Sequence, residues 1–544
     1  MNTYYNPKRV EMTGMNLKPT WNSFCDSLFG EPSNQVRFMV CLVVVVGFFF
    51  FSRLPFFLYY PLPIAWPDTP SYLWQLEKIE QGILPTFELR TPGYPLFWWL
   101  CRMVSHNVLF VIYTQNTITL FSIILTFFLL AKYSPGCLVP VAFGLSVFIS
   151  SPTHLAMDMS LLSESIFVNC MILFFVFLYA ALHTCKTVFA LITSLLVATG
   201  IYIRPHAAFL IPTLAIVSLF LFKKFGQRFI LALVVPAAVA LGVLVLYNAF
   251  TIRMFTLSGG GDWAMLWSTS IYLEPDPALP DGVNEAIVSK AAKISNSDKD
   301  IIYNSWDLVA FQKAIERNIL VPSVPIVKVI GEVEPGPDHY LKQRDLCRQI
   351  YQTAIRQHPE VYIKNLLGAF ILYFMKIGTS GWGDFYSVLP SKQYGETFVG
   401  QQASHVKGLK DYYNAKPLSE FKFILFSNGT ATVMTKPRTL TKLYSQYAGV
   451  RARLFQNMLW IIPLVFGLIL SVAELIRGKG ASTGSLFIFL MILCPLGHAV
   501  LCAVTGHIEK RYSYTLEFIN YLLVALVPFV LCRKLKMPLG QRNS

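Results

Sequence analysis

Charge is scarce in this chain. Only 14% of its 544 residues are Asp, Glu, Lys or Arg, while 54% are hydrophobic; soluble domains carry about a quarter charged residues. That balance argues against a soluble enzyme. It also argues against a nucleic-acid binder, which the net charge of +15 would otherwise suggest. The basic residues fall largely in short clusters beside apolar runs, a pattern that orients membrane helices. Cysteines outside the apolar runs are few as well. Of ten, Cys347 alone lies in a long polar loop, so no disulfide framework is implied. No internal repeat, low-complexity tract or strand-rich segment is visible. Nor is a cleavable signal peptide expected, because a long, mostly polar stretch precedes the first apolar run.

What the chain has in quantity is apolar runs near the length of helix that spans a bilayer. They occur at 37–58, 108–131, 137–152, 163–183, 187–203, 206–222, 229–250, 453–476, 483–504 and 514–532. If the N-terminal segment 1–36 is cytoplasmic, every later cytoplasmic turn is basic. These turns carry Lys132, Lys186, Lys223-Lys224-Arg228, Arg477-Lys479 and, in the tail 533–544, Arg533-Lys534-Lys536. Counting either of the shorter apolar segments 92–104 and 361–377 as a crossing would invert the turns after it, so both are expected to lie at the outer membrane surface.

The expected fold is therefore an all-α polytopic membrane protein of about 10–12 transmembrane helices. An N-terminal membrane module, 37–250, would include a first outer loop at 59–107. A mainly helical outer region, 251–452, would precede the C-terminal membrane helices, 453–532. Pro/Gly/Asp-rich pieces such as EPDPALPDG punctuate the outer region, and SWDLVAFQKAIERNIL between them has helical, amphipathic periodicity. Asn428-Gly429-Thr430 is a lone glycosylation sequon there.

On this threading, ionisable residues from distant segments gather at the outer ends of spans. Asp68 and Arg90 lie in the first outer loop. His154, Asp158 and Glu164 lie between the third and fourth spans. Arg204 and His206 flank the next outer turn, and His507, Glu509, Lys510 and Arg511 fill the last. Charges at membrane depth are costly, so such a gathering is a candidate site. Arginine and lysine suit a phosphate at the membrane surface, and a carboxylate suits an acceptor hydroxyl or amine that must lose a proton. Plainer readings exist for each residue. Asp68-Thr69-Pro70 reads as a helix N-terminus with Asp or Thr as cap. Arg90 and the aromatics Tyr94, Trp98 and Trp99 suit interfacial anchoring, and His154 and His206 suit polar interface positions.

With those residues in view, the chain resembles GT-C glycosyltransferases of the protein O-mannosyltransferase and lipid A aminoarabinose transferase type. Asp68 followed by RTPGYPLFWWL is similar to their acidic residue and basic, proline-containing motif in the first outer loop. SLLSESIF resembles their second acidic motif, YIRPHAAF the basic turn two spans on, and EKRYSYTLEFI the closing basic-Tyr segment. IRQHPEVYIKNLLGAF is similar to the HP-x-x-Y stretch before an outer-surface helix. The resemblance spans roughly 35–250 and 350–530. Two positions depart from it: Asp68 stands alone rather than in an Asp-Glu pair, and Thr91 replaces a proline-like position.

The resemblance implies a glycosyltransferase, inverting, that takes a sugar from a polyprenyl-phosphate donor and gives it to a glycan, lipid or protein acceptor on the extracytoplasmic face. The membrane would be the plasma membrane of a prokaryote or the endoplasmic reticulum of a eukaryote. Asp68 and Glu164 would be the catalytic carboxylates, with a divalent cation between them if any is needed. Arg90, Arg204, Lys510 and Arg511 would hold donor phosphate. Tyr94, His154, Asp158, His206, His507 and Glu509 would be available to acceptor or sugar. The rival expectations are a polytopic transporter or lipid flippase, whose charges would sit at mid-membrane, and a non-catalytic scaffold of the same fold.

Overall fold

A computed structural model describes residues 32–59, 68–83, 90–257, 260–291, 293–318, 320–333, 339–375, 461–476, 483–504 and 517–536, with short pieces between 443 and 451. The described residues are overwhelmingly helical and contain no strand. Among the described residues five helices are long and apolar enough to cross a membrane: Ser33–Leu54, Val108–Tyr133, Glu164–Thr184, Phe225–Thr251 and Leu486–Ala503. The chain is a membrane protein on that ground.

The first membrane helix is α1 (Pro32–Tyr59); a turn at Asp68 opens a short helix α2 (Thr69–Glu80), and α3 (Gly93–Val104) follows. Here the segment expected as an interfacial helix at 92–104 is helical, with Leu96, Leu100, Met103 and Val104 left exposed along it. Next come α4 (Val108–Tyr133) and α5 (Leu138–Ile149). The run expected as one span at 137–152 ends early. After Ile149 the chain bends by 65° into α6 (Pro152–Asp158), because Ser151 caps the new helix by accepting from the His154 amide and Pro152 fits its first turn.

Helices α7 (Glu164–Thr184) and α8 (Thr187–Ile203) form a tight antiparallel pair whose turn places Cys185 at φ 58°. A single 3₁₀ turn, Pro205–Phe209, then opens α9 (Leu210–Thr251). The two spans expected at 206–222 and 229–250 are the two parts of α9, broken at Gly226 with φ 76° and ψ 166°. Only glycine adopts that backbone conformation without strain, so the basic KKFGQR turn breaks there.

A polar helical region follows, with a core of its own. Helices α10 (Gly260–Thr269), α11 (Asp281–Ala291), α12 (Asn296–Asn304), α13 (Leu308–Asn318), α14 (Leu320–Gly331) and α15 (His339–Gln357) bury Tyr272, Val283, Phe311, Ile326, Cys347 and Ile350 among one another. The following helix, α16 (Pro359–Met375), joins that core to the membrane bundle. Its Val361 packs in the polar region's core, while Ala369 and Tyr373 pack on Ala499, Cys502 and Ala503. Those last residues belong to α18 (Thr483–Val504), which with α17 (Ile461–Ile476) and α19 (Glu517–Lys536) completes the bundle.

Candidate functional site

Asp68 occupies the N-cap position of α2, yet its side chain makes no capping hydrogen bond. Its carboxylate pairs instead with the Arg90 guanidinium. The backbone carbonyl of Asp68 does the local work, accepting from the Ser71 amide at 3.1 Å and the Ser71 hydroxyl at 2.6 Å. Arg90 is held from three sides. Its Nε donates to Ser71 Oγ at 3.1 Å, its carbonyl accepts from Gln75 Nε2 at 3.1 Å, and its guanidinium lies 5.4 Å from the Tyr72 ring. The pair remains partly open to solvent, with side chains 18% and 27% exposed.

A second acid–arginine pair lies on the other side of Tyr72. Glu164 is the first residue of α7, where the helix dipole favours a negative charge, and Arg204 follows the last residue of α8, where it favours a positive one. They meet at 2.7 Å and are nearly buried. Tyr72 bridges toward them through a 2.9 Å hydrogen bond between its hydroxyl and Ser163 Oγ, next to Glu164. Burial raises the Tyr72 pKa first; Arg90 and Arg204 oppose that, while Glu164 and Asp68 add to it. One side chain thus feels all four charges. Residues 68, 90, 164 and 204, which lie far apart in the chain, form one site.

Gly93 explains why the two pairs come so close. A Cβ there would meet the backbone carbonyl carbon and oxygen of Tyr202 at 2.6 Å and the Ile203 nitrogen at 2.8 Å. The start of α3 therefore rests directly on the end of α8, three residues after Arg90 and one before Arg204.

His154 and Asp158 are placed differently. Both side chains are fully buried on α6, and Asp158 pairs with Arg53 of α1, itself fully buried. Arg53 donates also to Asn116 Oδ1 at 2.8 Å and to the Ile149 carbonyl at 3.0 Å. Asp158 accepts from Ser165 Oγ at 2.6 Å, and its carbonyl accepts from Gln115 Nε2 at 3.1 Å. Tyr94, buried on α3, donates to Gln115 Oε1 at 2.8 Å and packs edge-on against Tyr72 at 4.9 Å. Trp98 is buried beside Tyr94, whereas Trp99 is only partly covered. This network lies beneath the four-charge site and fixes α1, α3, α4, α6 and α7 together.

Comparison gives no match for this chain to any protein-family model, curated protein or solved structure.

His206 lies on the 3₁₀ turn after Arg204, its ring 5.9 Å from that of His498 on α18. His498 in turn contacts the Tyr373 hydroxyl at 2.7 Å. His507, Glu509, Lys510 and Arg511 lie outside the described residues, as does Asn428. Among the described residues no cluster of three or more His, Cys, Asp or Glu is arranged to hold a metal ion. Asp68, Glu164 and Asp158 each have an arginine partner instead.

Reading the sequence alone overlooked Arg53, Tyr72, Ser163, Gln115 and Asn116. A signal existed for three of them. Arg53 interrupts FFFFSRLPFF, and Gln115 and Asn116 interrupt an apolar helix, positions where a polar group without a partner would be expensive. Tyr72 and Ser163 gave none, because their value lies in a contact between segments 91 residues apart.

Proposed function

We propose that this protein is a membrane glycosyltransferase of GT-C-like architecture, with ten to twelve membrane helices when the shorter apolar ones are counted, that moves a sugar from a polyprenyl-phosphate donor to an acceptor on the extracytoplasmic face. The observation that carries the proposal is the junction of the Asp68–Arg90 and Glu164–Arg204 pairs across Tyr72 and Ser163 at one end of the bundle. A purely structural ion pair gains little at a half-open surface. Two pairs set side by side supply both charges that glycosyl transfer from a lipid phosphate needs.

In the proposed reaction an acceptor hydroxyl attacks the anomeric carbon and gives its proton to the Asp68 carboxylate. The bond between that carbon and the phosphate oxygen breaks, and its electron pair leaves with the polyprenyl phosphate. Arg90 offsets the developing charge on the leaving oxygen. A guanidinium has five N–H donors in a planar fork, so it serves a carboxylate and a phosphate together. Glu164 orients the acceptor beside it, and Arg204, its ion-pair partner, adds positive potential for the departing phosphate. Lys510 and Arg511 would add positive potential from the last loop. A transporter is less well supported, since Asp68, Glu164 and Arg204 stand at helix ends and Arg90 pairs with the first of them.

The test is donor binding. Arg90→Glu in nanodiscs should reduce affinity for undecaprenyl phosphate by at least tenfold, because a charge-assisted contact contributes about 1.5–3 kcal/mol. Unchanged binding in a folded Arg90→Glu protein would remove the phosphate from the account.

A further inference from the structure

Helix α16 is covered by protein on part of its circumference only. Near its start, Val361 packs in the core of the polar region, and Gln312 Nε2 of α13 donates to the Asn365 carbonyl at 2.9 Å and to its Oδ1 at 2.8 Å. Further along, Ala369 and Tyr373 pack on α18, where the Tyr373 hydroxyl lies 2.7 Å from His498 Nδ1. Ile363, Leu367 and Ile371 belong to neither contact and are exposed. Spaced by four residues, they form one apolar stripe along the helix. Val500 and Leu501 are exposed as well, on the span Leu486–Ala503 and next to the residues of α18 that receive Ala369 and Tyr373. The stripe therefore continues the outward surface of a membrane helix.

A tryptophan is fastened beside the start of this helix. Lys364, almost fully buried, donates from Nζ to the carbonyls of Ile302 at 3.0 Å, Tyr303 at 2.8 Å and Ser305 at 3.4 Å. One ammonium thus satisfies the carbonyl end of α12 and ties the turn after it to α16. That turn carries Trp306, which is 63% exposed and has its ring 5.7 Å from Lys364 Nζ. Helix geometry gives its height. The nine residues from Lys364 to Tyr373 measure about 14 Å, and the five from His498 to the end of the span at Ala503 about 8 Å. The two helices pack along each other, so Trp306 stands about 6 Å beyond the end of the span. Headgroups extend about 5–8 Å from each side of the hydrocarbon, and tryptophan is enriched at that level.

We infer that the polar region is seated on the membrane by a lipid-binding surface of its own. Helix α16 enters the leaflet beside that region with Ile371 against acyl chains and Leu367 at the hydrocarbon boundary. Ile363 and Trp306 rest among the headgroups. Lipid is the occupant because the stripe runs on from the surface that a membrane span turns to lipid, and an exposed apolar patch of this kind marks a contact. Lys364 makes the seat rigid, since it holds the Trp306 turn to the helix that enters the leaflet. The height of the polar region above the bundle is thereby fixed. None of this rests on the glycosyltransferase reading.

The test uses the full chain in phosphatidylcholine nanodiscs, with a nitroxide attached in turn to Ile371→Cys, Ile363→Cys and Val288→Cys, the last exposed on α11. The signal of the unsubstituted protein is subtracted. Power saturation then compares collision with oxygen, which concentrates in acyl chains, and with a neutral nickel chelate, which stays in water. Oxygen should dominate at 371 and nickel at 288, with 363 between them. Dominance of nickel at 371 overturns the inference. So does exclusion of both reagents there, which would mean that another segment of the chain or a second copy covers the stripe. A second measurement needs no label. Phosphatidylcholine brominated close to its headgroup should quench a part of the tryptophan emission that Trp306→Phe lacks. Equal quenched emission from the two proteins would leave Trp306 in water and remove the anchor.

Discussion

At the scale of single residues, Asp68 separates two kinds of role. The sequence presents it equally as a helix cap and as a base. Its side chain does not cap α2, and its partner is Arg90. Asp68→Asn keeps the shape of the side chain and removes its charge. An ion pair partly open to solvent contributes about 1 kcal/mol or less, so the melting temperature should change little. Loss of a general base typically costs about 100- to 10,000-fold, and we expect sugar transfer to fall by that order while undecaprenyl phosphate still binds. A transfer assay with saturating lipid-linked donor checks this; activity within a few-fold of wild type would make Asp68 merely an ionic partner. Individual charges of the site were legible because each interrupts an apolar setting. Their pairing was not, since nothing in a linear sequence tells that Asp68 takes Arg90 and Glu164 takes Arg204.

Helices were the most legible elements, and their ends the least. Apolar runs announced α4, α7, α9 and α18, but the bend after Ile149 depends on Ser151 and Pro152 acting together. Several expected spans emerge as short apolar helices, such as Thr187–Ile203. At 1.5 Å per residue, 17 residues reach about 26 Å, slightly under a typical hydrocarbon core of about 30 Å. The sidedness expected from the basic turns is directly testable. Asp281→Cys should react with an impermeant maleimide from outside intact cells, above the labelling of the unsubstituted protein, whereas Gln227→Cys should react only after permeabilisation. The opposite pattern would reverse the orientation. The contact of α3 with α8 gives a second test at this scale. Gly93→Ala would press a methyl group into the backbone of Tyr202, which cannot swing aside. Overpacking of this kind costs about 1–3 kcal/mol. Thermal unfolding should show that loss, and the displaced Arg90 loop should lower donor affinity with it. A variant as stable as wild type would mean that the two helices do not rest on each other at this point.

Across the whole molecule, the four-charge site depends on the buried network under it. Arg53 and Asp158 join α1 to α6, and their neighbours bring in α3, α4 and α7. No periodicity reveals such a network, because it consists of one or two polar residues from each helix meeting at a common level. A fully buried ion pair gains little net stability over well-packed apolar residues, but removing one partner leaves an uncompensated charge and costs about 3–5 kcal/mol. Asp158→Leu should therefore unfold at a much lower temperature than wild type, since Arg53 would be left in the bundle with only neutral partners. Adding Arg53→Met removes that stranded charge, and most of the lost stability should return. Sugar transfer should not return with it, because Ser165, next to Glu164, loses the carboxylate that now accepts its hydrogen bond. Thermal unfolding of the three variants in nanodiscs, with transfer measured on the same samples, separates the two contributions. If Asp158→Leu alone melts with wild type, the pair is not what joins these helices. If the double variant regains transfer as well as stability, the network serves the fold and does not orient the site.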